Sequence, residues 1–421
     1  MSGAGQDRGA ASFRDFVFPP GHPRLAGLEA HDARTYVDVA LRDVPFAAAL
    51  LDEWAGRFAQ EGFSGVTTDG RVVPGLYRRA DEGAPVAAAV AAAERLLALL
   101  DPVARAGVQH AVDSHVWQAW MNPEMYLNRF GIRLDEVDDA VRDAALALVR
   151  ACLSESGWAK VRDVMFTNDF LGRLVGLPRL LNEFSYNLNL FGTPSATEPW
   201  GWNLWGHHLA INCLFVGPQL VMTPVFMGSE PNSIDEGEHE GVELFVDQAA
   251  MALELVRRLP AELRGPAVLY SRKRDPAMPP GRIHPADELH LAGAFQDDRV
   301  IPYEGVRVAG FPDAERELLL RLVERFLDHQ PAGALAARLA DVRAHLDETY
   351  FCWIGGTGDH DPFYYRVQSP VVLLEFDHHA GIWLSNEEPQ KFHTHTIVRT
   401  PNGNDYGTAL RRGEDGTDRT R

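Results

Sequence analysis

The chain has 421 residues, 46% of them hydrophobic, and a formal net charge of -19 at pH 7. That length supports a sizeable core in one large domain or two smaller ones. The acidic balance argues against a nucleic-acid partner, whose phosphates call for clustered Lys and Arg, and equally against an anionic membrane surface.

Cys152, Cys213 and Cys352 are too few and too scattered for a disulfide framework or a thiolate metal site, and each lies in an apolar stretch that reads as a buried thiol. The first residues lack the apolar core of a signal peptide, and no run of eighteen apolar residues occurs. A soluble, cytoplasmic protein is expected.

In chain order, residues 1–14 read as a disordered tail and 15–190 as a mainly helical region. Tyr36 to Phe63 carries apolar residues at helical spacing. Ala87 to Leu100 is an Ala/Leu-rich helix ended by Asp101-Pro102, and Asp138 to Cys152 is amphipathic. Ser154 or Ser156 is placed to cap a helix running towards Val175. The character changes at Phe191-Gly192-Thr193-Pro194-Ser195, a loop of turn formers that opens an antiparallel-sheet region over 191–410. Leu209–Val216 and Leu220–Phe226 alternate as a hairpin around Gly217-Pro218-Gln219. Helices are expected at Val242–Leu259, Asp313–Leu327 and Leu335–Leu346. Strands follow at Tyr350–Ile354, Phe363–Gln368, Val371–Asp377 and His393–Arg399, and 411–421 reads as a loose tail. Helices first and then antiparallel strands with interspersed helices make an α+β fold. No phosphate loop, dinucleotide fingerprint or Gly-x-Ser-x-Gly elbow appears.

The chemistry-bearing residues are histidines in two pairs, His207-His208 and His393-Thr394-His395. The second pair opens a strand, where side chains alternate, so both imidazoles share one face, about 7 Å apart along the backbone. A metal ion needs three or four ligands from different elements. Adjacent residues on a strand face opposite ways, so His207 and His208 are not expected to enter one cavity together unless the backbone bends, and His208, on the more polar face, is the favoured ligand. Glu375, an acid inside the apolar run Val371 to Phe376, is costly unless paired or metal-bound, and Asp377 shares its face. An ion pair of Glu375 with Arg366 or Arg399 is the competing reading. Glu238-His239-Glu240 and Asp359-His360-Asp361 read as solvated turns, and His284 and His290 as ordinary surface residues of a Pro-rich loop. Trp200, Trp202 and Trp205 precede the first histidine pair; with Arg366 and Arg399 they are candidates to wall a substrate pocket.

Phe191-Gly192-Thr193-Pro194-Ser195, Pro199-Trp200-Gly201-Trp202 and Gly206-His207-His208-Leu209, with Trp353-Ile354-Gly355-Gly356, Tyr364-Tyr365-Arg366-Val367-Gln368, Leu374-Glu375-Phe376-Asp377 and His393-Thr394-His395 in the same order, resemble the domain-of-unknown-function 3500 family over roughly 85–410. The resemblance implies that the His-His, Glu and His-x-His positions sit together, without saying what they do. One departure is local. Many members read Tyr-Asp-Asn-Thr-Gln-Asn-Asp before the His-x-His, where this chain has a longer approach opening on His378-His379-Ala380-Gly381.

The expectation is a metal-dependent enzyme on a small organic substrate, with zinc or iron, or else copper, on ligands drawn from His207, His208, His393, His395 and Glu375, and with Glu375 and Asp377 as catalytic carboxylates. Metal-activated water gives hydrolysis; an iron or copper ion with an open position gives oxidation. A non-catalytic binding protein with structural histidines is the third reading.

Overall fold

The computed structural model describes residues 11–43, 45–60 and 62–412. Its centre is one 12-stranded mixed sheet. In chain order the strands are β1 Gln109–His110, β2 Ile132–Arg133, β3 Tyr186–Phe191, β4 Trp200–Gly206, β5 Leu209–Val216, β6 Gln219–Ser229, β7 Val268–Tyr270, β8 Val306–Arg307, β9 Tyr350–Gly355, β10 Phe363–Gln368, β11 Leu373–His378 and β12 Thr394–Arg399. They lie side by side in the order β1-β3-β4-β5-β6-β12-β11-β10-β9-β7, with β2 on β3 and β8 on β9. The pairings are antiparallel except β1 with β3 and β7 with β9. The ladder between β6 and β12 therefore joins two antiparallel meanders that are distant in sequence. The fold is α+β.

Alternation along the strands sorts side chains into two large cores. One face carries Leu204, Met227, Val398, Leu374, Phe376 and Tyr365 and is covered by amphipathic helices that include Val246–Arg258 and Asp313–Leu327. The other face carries Trp205, Phe226, Ile397 and Leu373, packed with Trp120 and with residues of the helices Ala33–Asp43 and Pro45–Phe58. This second face also buries polar groups. Asn189, Asn203 and Asn212 lie in register on β3, β4 and β5 and hydrogen-bond in series, at 3.0 Å and 3.3 Å.

Several sequence expectations need correction. The stretch 15–190 contains β1, β2 and β3, because Tyr-Asn-Leu-Asn-Leu-Phe alternates with a period of two and so buries on both faces as a strand. Trp200–Gly206 is a further strand, beyond the elements expected from the sequence. The expected helix from Tyr36 is two helices, Ala33–Asp43 and Pro45–Phe58; proline is well suited to a first helical turn and not to an interior. Of the expected tail 1–14, residues 1–10 lie outside the described residues, but Ser12 caps a short turn of helix, Phe13 is buried and Arg14 pairs with Asp235. At the other end Arg411 and Arg412 close the helix Thr408–Arg412, and 413–421 lie outside the described residues.

Candidate metal centre

Three imidazoles meet where the two meanders join. His393 and His395 stand at the start of β12, on the face that also carries Ile397. His208 reaches them from the neighbouring meander. It does not sit in a strand: His207 and His208 form the two-residue turn closed by the Gly206–Leu209 pair, so strand alternation does not govern them. What orients His208 is a left-handed backbone with φ 62°. That conformation costs on the order of 1–3 kcal/mol in a residue with a side chain. It is held on both sides, since the His208 N–H donates to the Asn122 carbonyl at 2.9 Å and its carbonyl accepts from the Gly228 N–H at 2.8 Å. A Cβ on Gly228 would stand 2.8 Å from Cδ2 of His395 and 2.9 Å from Cδ2 of His208, so only glycine lets the two rings close over β6.

The Nε2 atoms of His208 and His395 are 3.0 Å apart, those of His393 and His395 3.0 Å, and those of His393 and His208 3.3 Å. Metal–nitrogen bonds of about 2.0–2.1 Å at a tetrahedral angle place nitrogens about 3.3 Å apart, so this triangle has the dimensions of one face of a metal coordination sphere. The protonation pattern agrees. His393 Nδ1 lies 2.7 Å from the Ala380 carbonyl, which requires a proton on Nδ1 and leaves the Nε2 lone pair directed at the other two rings. Burial pushes His208 and His395 well below the usual imidazole pKa, with repulsion from neighbouring rings adding to it. The neutral form that results is the ligand form.

His207 stacks on His208, with ring centroids 3.9 Å apart, yet turns its nitrogens elsewhere. Its Nδ1 is 2.7 Å from Asn168 Oδ1, and its Nε2 is 3.8 Å from Glu124. Burial lowers the His207 pKa to about 3 and raises that of Glu124 to about 7.

Glu375 stands apart from the histidines. Its carboxylate accepts from Leu291 N at 3.0 Å, Ala292 N at 2.8 Å and the Tyr364 hydroxyl at 2.6 Å. It thereby ties the 287–301 segment across this face of the sheet. Asp377, two residues on and directly across the ladder from His395, accepts from Leu289 N at 3.0 Å and from the Lys273 ammonium. Arg366 directs its guanidinium to Glu304 at 2.9 Å, and Arg399 to Asp297 at 2.6 Å. Trp200 and Trp202 are fully buried in the helix-covered core of the opposite face, and Trp205 packs against Tyr126.

A second group of ligand types touches the first. His290, Asp377 and His379 offer atoms that all lie within 4.8 Å of one another. The His379 ring centroid is 3.8 Å from that of His395, and the His290 centroid 6.3 Å. His290 is not the surface residue its Pro-rich loop suggests: it is 2% exposed, because the backbone N–H groups on either side of it bind Asp377 and Glu375 and draw the loop inward. No pattern in the sequence singles out a lone loop histidine. His379 is more legible, since it follows Asp377 at strand spacing. His290 also borders a cavity of about 430 Å3 whose lining includes Arg57, Arg282, His284 and Arg299.

The family model for proteins of unknown function DUF3500 matches residues 82–408. The chain belongs to the DUF3500 family. The matched span holds all twelve strands and every histidine of both groups. No curated protein and no solved structure matches the chain. Within this DUF3500 chain the segment His378-His379-Ala380-Gly381 carries both His379 and the Ala380 carbonyl that orients His393. Among the described residues no helix is long and apolar enough to cross a membrane.

Proposed function

We propose that this DUF3500 protein is a metal-dependent enzyme that hydrolyses a small organic substrate at a centre held by His208, His393 and His395. The observation that carries the reading is the triangle of Nε2 atoms at 3.0–3.3 Å. His208, His393 and His395 would hold the ion through imidazole nitrogens that add no negative charge, and a zinc ion so held would supply the Lewis acidity that activates water near pH 7. The chain's own work is positioning. The Ala380 carbonyl fixes the His393 tautomer, the turn at His208 brings the third nitrogen, and Gly228 leaves the room. Glu375, with its backbone and hydroxyl donors, serves the loop rather than the reaction, which makes Asp377 the carboxylate of the centre. The cavity beside His290 is of a size that suits a small substrate. Three buried, unpaired cysteines fit a reducing compartment such as the cytoplasm.

A second reading, an iron or copper oxidoreductase, is favoured by the same donor set, because imidazole serves those ions equally well. The identity of the ion separates the two. Metal analysis of tag-free protein purified without added metal is expected to find zinc, with hydrolysis of an ester and amide panel lost on chelation and restored by zinc. Copurified iron or copper with dioxygen consumption selects the second reading. A protein that binds no ion at micromolar concentration ends both.

A further inference from the structure

We infer that His290, Asp377 and His379 hold a second metal ion beside the first, making the centre dinuclear. The inference rests on the three-histidine reading and extends it. Its starting point is a set of ring nitrogens with nothing to bind. Both nitrogens of His290 and Nε2 of His379 are shut off from solvent and have no hydrogen-bond partner. Leaving such buried polar atoms unpaired is destabilising. These atoms gather around one buried carboxylate, with His379 Nε2 at 3.3 Å from Asp377 Oδ2.

The Lys273 ammonium pairs with Asp377 but does not resolve the group, because the ring nitrogens stay without a hydrogen-bond partner. A metal ion does resolve it, by taking one lone pair from each ring and one from the carboxylate. Two histidines and an aspartate are a donor set that zinc, iron and manganese accept. Asp377 and His379 lie at the end of a strand, whereas His290, the third member, stands in a loop. Charge is provided for nearby: Glu288 lies 3.5 Å from the Lys273 ammonium and Glu230 3.9 Å from His393 Nδ1. The contact between the His379 and His395 rings puts the two ions in adjacent positions, an arrangement that lets hydrolytic centres clamp both the attacking and the leaving oxygen.

The test is stoichiometry. Metal-free, tag-free full-length protein is titrated with cobalt(II), and ligand-field absorption is followed to its break point. The expected break is at two equivalents in the wild type and at one in His290→Ala and in His379→Ala. A break at one equivalent in the wild type, unchanged in His290→Ala and abolished in His393→Ala, overturns the second site and leaves the first standing. Two equivalents that persist in both His290→Ala and His379→Ala also overturn it, since the second ion then lies elsewhere. No binding at all removes both sites. The wild-type titration needs no variant, so its outcome holds even where a substitution fails to fold.

Discussion

Two buried polar clusters share one face of this sheet, and they differ in whether their hydrogen bonding closes. Around Arg399 every group has a partner. Its guanidinium reaches the carbonyls of Ala292 and Gly293 and the carboxylates of Asp297 and Asp405, while Asp297 also accepts from the Tyr406 hydroxyl and Asp405 from the Thr400 N–H. Around the histidines the bonding stays open: three Nε2 atoms face one another, and His395 Nδ1, both nitrogens of His290 and Nε2 of His379 have no hydrogen-bond partner. Burial and charge are common to both clusters, so neither marks function. What sets the histidine cluster apart is a shared deficit that a cation would fill.

Substitutions should separate the two clusters cleanly. The largest effect is expected from His393→Ala, which should abolish metal binding at the three-histidine site and with it any hydrolysis, while circular dichroism and the metal-free unfolding midpoint stay near wild type. A collapse of the fold instead would place the histidines in the scaffold. Arg399→Ala should do the reverse. Removing one partner of a buried pair costs about 3–5 kcal/mol, so denaturant unfolding should shift by that amount while the fraction still folded binds metal normally. Gly228→Ala lies between. Its Cβ meets both His395 and His208, and overpacking of this kind costs about 1–3 kcal/mol. The strain should appear mainly as weaker metal binding, read by competition with a chromophoric chelator.

The smallest effect comes from a buried histidine outside both clusters. His329 is 1% exposed, and burial lowers its pKa to about 4. The unfolded chain takes up its proton near pH 6.5, before the folded one does. Its contribution to stability is therefore complete above that pH and is lost as pH falls towards 4. Urea midpoints measured across this range should fall less steeply in His329→Gln than in the wild type, with or without metal.

Much of the scaffold could be read from the sequence. The helix Asp313–Leu327 and the strand Phe363–Gln368 fall where periodicity puts them, and Ser154 caps the helix Glu155–Val175. The convergence of His393 and His395 also follows from strand alternation alone. The remaining geometry depends on partners that leave no mark in a sequence. Glu375 looks like a ligand because an isolated acid in an apolar strand demands compensation, but the compensation comes from two backbone N–H groups more than eighty residues away. His290 is buried for the same reason. At His207-His208 the failure is one of period: the residues occupy a turn, and a left-handed φ replaces the rule that strands obey.

The β6–β12 ladder carries a consequence for the order in which the molecule is made. His208 leaves the ribosome far ahead of His393 and His395, and β12, the strand that brings them to it, is the last of the sheet to be synthesised. A nascent chain thus holds only one of the three imidazoles until β12 is made, and no truncation short of residue 395 can assemble the triangle. Any ion taken by the proposed centre would therefore be loaded only after the β6–β12 ladder has closed.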